Sequence, residues 1–177
     1  MEKPIKKRKK GKTGNEKMKE FINAYLNSYY DEWYWNMRFK LYKTDIMKIK
    51  RYLYLYCLKR MEAKNNAALG TRENGGAAFK GKPHFPHGIK GIFIAADAQI
   101  GENVTIYQQV TIGVKNFGDD RAPIVGNNVI IGAGAKIIGP VVVGNNVAIG
   151  ANAVVVKDVP EGCTVVGNPG RIIMNQR

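Results

Sequence analysis

The chain has 177 residues, 45% hydrophobic and 24% charged, which suits one domain of ordinary size with an accessory element. Its formal net charge of +14 sits mostly at the front: residues 1–64 hold 18 Lys and Arg against 7 Asp and Glu, and the remainder holds 10 against 7. Cys57 and Cys163 form neither a disulfide framework nor a metal-ligand spacing. No apolar run reaches a membrane span of roughly 18 residues or follows the N-terminal charges as a signal peptide would, so the expectation is a soluble, cytoplasmic protein.

Residues 1–15, with the run Lys6, Lys7, Arg8, Lys9 and Lys10, have little apolar content and read as a disordered basic tail. A solvated tail is the plain reading, and a weak contact with an anionic membrane surface is the functional one. Neither an aromatic-interleaved single-strand motif nor a groove-reading helix signature supports nucleic acid as a partner. Residues 16–64 turn helical and aromatic. Phe21, Tyr25, Tyr29 and Trp33 follow i+4 spacing on one face, and Ile46, Ile49, Leu53, Tyr56 and Met61 make a less regular second face. Two helices with a break near Tyr42 to Asp45 are expected, packed as a small cap over the open edge of whatever follows.

Residues 65–91 are rich in Gly, Pro and Asn and read as a loop leading into imperfect first repeats. Phe79 and Phe85 keep a spacing of six, and the chain's 2 histidines, His84 and His87, lie here. From Ile94 a branched aliphatic residue returns at every sixth position: Ile100, Ile106 and Ile112, then Val125, Ile131, Ile137, Val143, Ile149 and Val155. Small or β-branched residues such as Ala98, Val104, Val129, Ala135 and Val147 form a second comb four places after the first. A period of six is neither helical nor simple alternation, and β-branched residues disfavour helix interiors. Short strands joined by tight corners fit it, with three hexads per coil and coils stacked about 4.8 Å apart. Glycines after the marks and asparagines are expected to take positive φ at the corners. Between Gly113 and Val125 the next mark comes seven residues late, so 114–123 reads as a loop expelled from one corner over a site. Residues 164–173 read as a closing segment.

The motifs PHG at 86–88, YQQVTIG at 107–113, IGAGAKI at 131–137, KDVP at 157–160 and GNPGR at 167–171 occur in this order and spacing. Together they resemble the hexapeptide-repeat acyltransferases, and most closely the serine acetyltransferase group with its short relatives linked to surface-polysaccharide O-acetylation, over about residues 60–173. The resemblance implies a mainly β fold, a left-handed parallel β-helix over 65–177 with an N-terminal helical segment; periodicity alone does not set the hand. It also implies acetyl transfer from acetyl-CoA to a hydroxyl, in a homotrimer with sites between subunits. A neutral hydroxyl attacks a thioester poorly, and an imidazole can take its proton at neutral pH. His87 falls where the family's catalytic histidine stands, and His84 is the other candidate. By motif position Ala133, Ala151 and Val156 would hold the pantetheine arm through main-chain groups, with Lys157 and Arg171 as phosphate partners.

Two departures from the family pattern matter, the first for orienting the histidine and the second for the acceptor. Pro86 stands where an orienting aspartate precedes the histidine, and Ala122 stands where a second histidine helps hold serine. The favoured acceptor is therefore a sugar hydroxyl of a surface or capsular polysaccharide precursor, with serine as the alternative. A zinc carbonic anhydrase would need three histidines, so no metal is expected. A catalytically silent trimeric scaffold fits the composition but leaves His87 and the coenzyme motifs without a reason.

Overall fold

A β-branched residue every sixth position favours extended backbone for two or three residues, and the small residue four places on lets the chain turn inward again. The computed structural model, which describes residues 13–16, 19, 32–43, 45–72, 76–116, 118 and 121–173, is a left-handed parallel β-helix built on this pattern. The basic run at 6–10 and the Phe21, Tyr25 and Tyr29 stripe lie outside the described residues, as does the Trp33 side chain. Each face of the prism is a parallel sheet. The first face holds β1 (Ala78–Phe79), β3 (Gln99–Ile100), β6 (Ile124–Val125) and β9 (Val142–Val143). The second holds β4 (Thr105–Ile106), β7 (Ile130–Ile131), β10 (Ala148–Ile149) and β12 (Thr164–Val166), and the third β2 (Phe93–Ile94), β5 (Thr111–Gly113), β8 (Lys136–Ile138) and β11 (Val154–Val155). The last strand, β13 (Arg171–Ile173), reverses and pairs antiparallel with β12.

The aliphatic marks fill the prism. Ile100, Ile106, Ile112, Ile131, Ile137 and Ile149 are all buried, each worth roughly 1.5–3 kcal/mol relative to exposure. Residues 65–91 already make a coil: Ala68 bridges to Phe93, Ala78 pairs with Gln99, and His84 bridges to Thr105. The seven-residue delay is visible in the register. Gln99 pairs with Ile124, 25 positions on, whereas Ile124 pairs with Val142, 18 positions on. The seven extra residues therefore fall at the corner between the third and first faces, and by Pro123, which is buried and accepts from Gln99 N at 3.1 Å, the chain is back in the ladder.

The positive φ expected at the corners falls on Asn103, Gln109, Asn128, Asn146 and Asn152 and on Gly134 and Gly139, but the glycines directly after the aliphatic marks, Gly101, Gly126, Gly132, Gly144 and Gly150, do not have it. The glycines are needed because the next coil lies against them: a Cβ on Gly101 would meet Gly126 O at 2.4 Å, and one on Gly132 would meet Ala151 N at 2.6 Å. The asparagines form ladders. Asn103 Nδ2 donates to Asn128 Oδ1 (3.0 Å), Asn128 Nδ2 to Asn146 Oδ1 (3.1 Å), and Asn146 Nδ2 to Glu161 Oε1 (3.2 Å). A parallel row at 127 and 145 also ends on Glu161, whose Oε2 accepts from Asn145 Nδ2 at 3.3 Å.

Two described helices, α1 (Glu32–Leu41) and α2 (Lys48–Lys64), pack over the first coil. Trp35 meets Phe79 edge-on at 5.1 Å and stacks with Phe85 at 6.1 Å. Between helices and coil lies a buried cation. Arg38 is 0% exposed and donates to Leu69 O (2.7 Å), Ala77 O (3.3 Å) and the Thr71 hydroxyl, with its charge 3.8 Å from Glu62 Oε1. Tyr34 Oη donates to the same carboxylate oxygen at 2.8 Å, and burial first, then Glu62, raises its phenol well above the usual range, so it stays a donor. This arrangement turns Leu58, Met61 and Glu62 inward. The expected second helical face is therefore divided: Met61 packs, while Ile49, Leu53 and Tyr56 face solvent.

Replacing Arg38 by Met leaves the buried Glu62 carboxylate with only the half-exposed Lys59, 3.6 Å from its Oε2, and a loss of about 3–5 kcal/mol is expected. Urea denaturation at fixed protein concentration checks it; a loss below about 1 kcal/mol would mean the network contributes little.

Candidate active site

The corner between the second and third faces is longer in the first coil than below it. His84 and Phe93 pair with Thr105 and Thr111, so nine positions in the first coil stand against six in the next. The three extra residues bulge outward at Gly88 (φ 70°) and Gly91 (φ 65°), conformations that glycine adopts without a Cβ clash. Gln109 N donates to Lys90 O at 3.0 Å and ties the bulge to the coil below. The result is an exposed His87 lining a cleft of about 580 Å³ together with Asn65 and Asn66 at the end of α2, and Gln108. His84 sits in the strand bridge three residues earlier and does not line this cleft.

His87 is held on two sides. Its Nδ1 lies 2.8 Å from Gln108 Oε1, and its ring meets Tyr107 edge-on at 5.7 Å. An amide oxygen can only accept, so with Gln108 in this orientation the proton is on Nδ1 and the Nε2 lone pair is available. This is the tautomer a base working through Nε2 requires. Gln108 thus meets Nδ1 in a chain that has Pro86, and no carboxylate, just before the histidine. The YQQ motif showed a glutamine pair at this place, but nothing in the sequence said which of the two would reach the ring. The cleft rim carries Lys64 and Lys90, and no carboxylate is among its lining residues, so the site favours an anionic ligand.

The other sequence-predicted residues divide between two edges of the third face. Ala133 and Ala151 occupy the His87 corner one and two coils below Gln108, with Gly134 N donating to Gln108 O (3.0 Å) and Asn152 N to Ala133 O (2.9 Å). Among the described residues, no backbone carbonyl takes up the N–H of Ala133 or Ala151. Arg171 lies opposite Val166 at the far end of the same edge, five strand spacings or about 24 Å from the His84 strand. Val156 and Lys157 are exposed on the opposite edge, beside Asp158, which accepts from Val142 N at 2.8 Å. One protomer therefore does not bring Lys157 to the histidine corner.

A family profile described as bacterial transferase hexapeptide (six repeats) matches residues 122–157. The chain is 48% identical over 84 residues to the serine acetyltransferase of Mycobacterium tuberculosis, covering 47% of this chain and 37% of that protein. Its fold is similar to the soybean serine acetyltransferase apoenzyme, with a TM-score of 0.62 and 35% identity over 70% of this chain and 50% of that one. It is similar also to a serine acetyltransferase in complex with CoA, with a TM-score of 0.59 and 31% identity over 86% and 55% of the two chains. The chain thus spans about half, or less, of the length of these relatives.

Imidazole ¹⁵N NMR of the His87 ring should show the Nδ1–H form in the neutral protein. A shift toward the Nε2–H form is expected in Gln108→Leu, and an unchanged tautomer ratio would mean that Gln108 does not orient the ring.

Proposed function

Since this hexapeptide-repeat chain is serine acetyltransferase-like in sequence and fold, we propose that it is an O-acetyltransferase moving the acetyl group of acetyl-CoA to a hydroxyl. The observation that carries this is His87 beside the cleft with Nδ1 engaged by Gln108 and Nε2 open. In the reaction Nε2 takes the proton of the acceptor hydroxyl as its oxygen attacks the thioester carbonyl. Collapse of the tetrahedral intermediate breaks the C–S bond, and the imidazolium returns the proton to the departing thiolate. The N–H groups of Ala133 and Ala151 point to where a pantetheine arm would be held, and Arg171 at the far end of that edge suits its phosphates. Val156 and Lys157 on the opposite edge can serve the same ligand only from a neighbouring protomer. Ile124, Ile130 and Val142, exposed on the outward faces, support a homotrimer of this kind.

L-serine is the acceptor best supported, because the relatives compared are named serine acetyltransferase. This revises the sugar hydroxyl that the departure at Ala122 favoured. That departure still stands as the basis for a sugar acceptor: Ala122 is half-buried at the returning end of the loop and its side chain offers no polar group to an amino-acid carboxylate.

Acetyl-CoA consumption should be measured with L-serine and with a panel of nucleotide-linked and polymeric sugars. His87→Ala is expected to lower kcat by about 10² to 10⁴, and equal turnover by the two proteins would remove His87 as the base. Turnover on a sugar but not on serine would exchange the two acceptor readings. Arg171→Ala and Lys157→Ala should raise the KM for acetyl-CoA with kcat little changed.

A further inference from the structure

The helix that closes the first coil is apolar on two opposite sides, and the fold uses only one. Leu58 and Met61 pack inward, while Ile49 (68% exposed), Leu53 (59%) and Tyr56 (64%) lie on the opposite side at i, i+4 and i+7, with Tyr52 (58%) beside them. This outer stripe is bordered by cations. Lys48, Lys50 and Arg60 are exposed, as is half of Lys59, which pairs with Glu62 Oε2 at 3.6 Å, whereas Glu62 itself, the acidic residue of the helix, is buried with Arg38. The outward surface of α2 therefore presents aliphatic and tyrosine side chains within a rim of positive charge, and no carboxylate.

We propose that this face of α2 docks on an anionic lipid surface, lying in the plane of the headgroups with Ile49, Leu53 and Tyr56 inserted. No described helix is long and apolar enough to cross a membrane, so the contact is peripheral. Charge selects this occupant. A second copy of α2 would bring two cationic rims together, which like-charge repulsion disfavours, whereas anionic headgroups neutralise them. Tyrosine suits the boundary, having an apolar ring and a polar tip. The front of the chain adds Lys6, Lys7, Arg8, Lys9 and Lys10, each basic residue near the surface strengthening partitioning about fivefold. Because α2 ends at Lys64 on the cleft rim, about 22 Å along the helix from Ile49, docking would hold the His87 cleft close to the lipid. The proposal does not depend on which hydroxyl is acetylated.

The test is co-sedimentation of the full chain with vesicles of phosphatidylcholine alone and of phosphatidylcholine mixed with phosphatidylglycerol. Binding is expected only to the mixed vesicles, and it should weaken steeply with salt. The triple variant Ile49→Ser, Leu53→Ser and Tyr56→Ser should partition at least about tenfold less while keeping its melting temperature. Tyr56→Trp gives a second reading, a blue-shifted emission on addition of the mixed vesicles. No binding to mixed vesicles, or equal binding by wild type and triple variant, overturns the proposal. A lower melting temperature in the triple variant would assign the stripe to packing within the chain, and a wild-type assembly twice the mass of the variant's would assign it to a second copy; either result also overturns it.

Discussion

The hydrogen-bond ladder that passes from one coil to the next constrains everything else in this molecule. Once Thr105, Ile130, Ala148 and Thr164 stand in register along one face, the residues after them must point inward together, and like stacks on like: Ile106, Ile131, Ile149 and Val165. A close stack leaves no room for a side chain where backbones meet, which is why Gly101, Gly126, Gly132 and Gly144 recur. It also puts polar corner residues one above another, so amides that each donate and accept form rows, ending on Glu161. Extra residues can enter only where the ladder is interrupted. The insertions lie at corners, among them four residues between Ala68 and Ala78, the three-residue bulge at His87 and the seven within 114–123, and they can be accommodated there without disturbing the stack.

A ladder of this kind has an open first edge, and an open edge invites further strands. Here α1 and α2 cover it, held by Arg38. A fully buried guanidinium costs several kcal/mol to desolvate, and what offsets that is the geometry: two coil carbonyls, the Thr71 hydroxyl, the Glu62 carboxylate and the face of Phe79 at 4.7 Å. Because Glu62 on α2 is a member of this cluster, the cluster constrains the rotation of α2 about its axis. That rotation sends Leu58 inward and leaves Ile49, Leu53 and Tyr56 outside. It also brings the end of α2 to the cleft, where Asn65 O accepts from Gly91 N at 3.1 Å and steadies the bulge that carries His87.

At the cleft, the group that meets His87 Nδ1 is a neutral amide, Gln108, brought from the coil below. An amide oxygen and a carboxylate can each select the Nδ1–H tautomer, since either accepts a hydrogen bond there. They differ in charge: the amide adds none to the cleft, whose rim carries Lys64 and Lys90, and the balance favours an anionic ligand.

The sequence by itself determined the repeat, the stacking of aliphatic columns and the corner at which the loop within 114–123 leaves, because a strict six-residue period leaves one way to bury every mark. It also placed Ala133 and Ala151 on one corner, since positions eighteen apart occupy the same point of successive coils. Only the tertiary structure decided that Gln108 meets the His87 ring, that Lys157 lies across the third face from His87, that the glycines after the aliphatic marks answer to close stacking, and which side of α2 is buried. Those outcomes depend on contacts between coils, or between helix and coil, for which the spacing of residues along one chain offers several equally good partners.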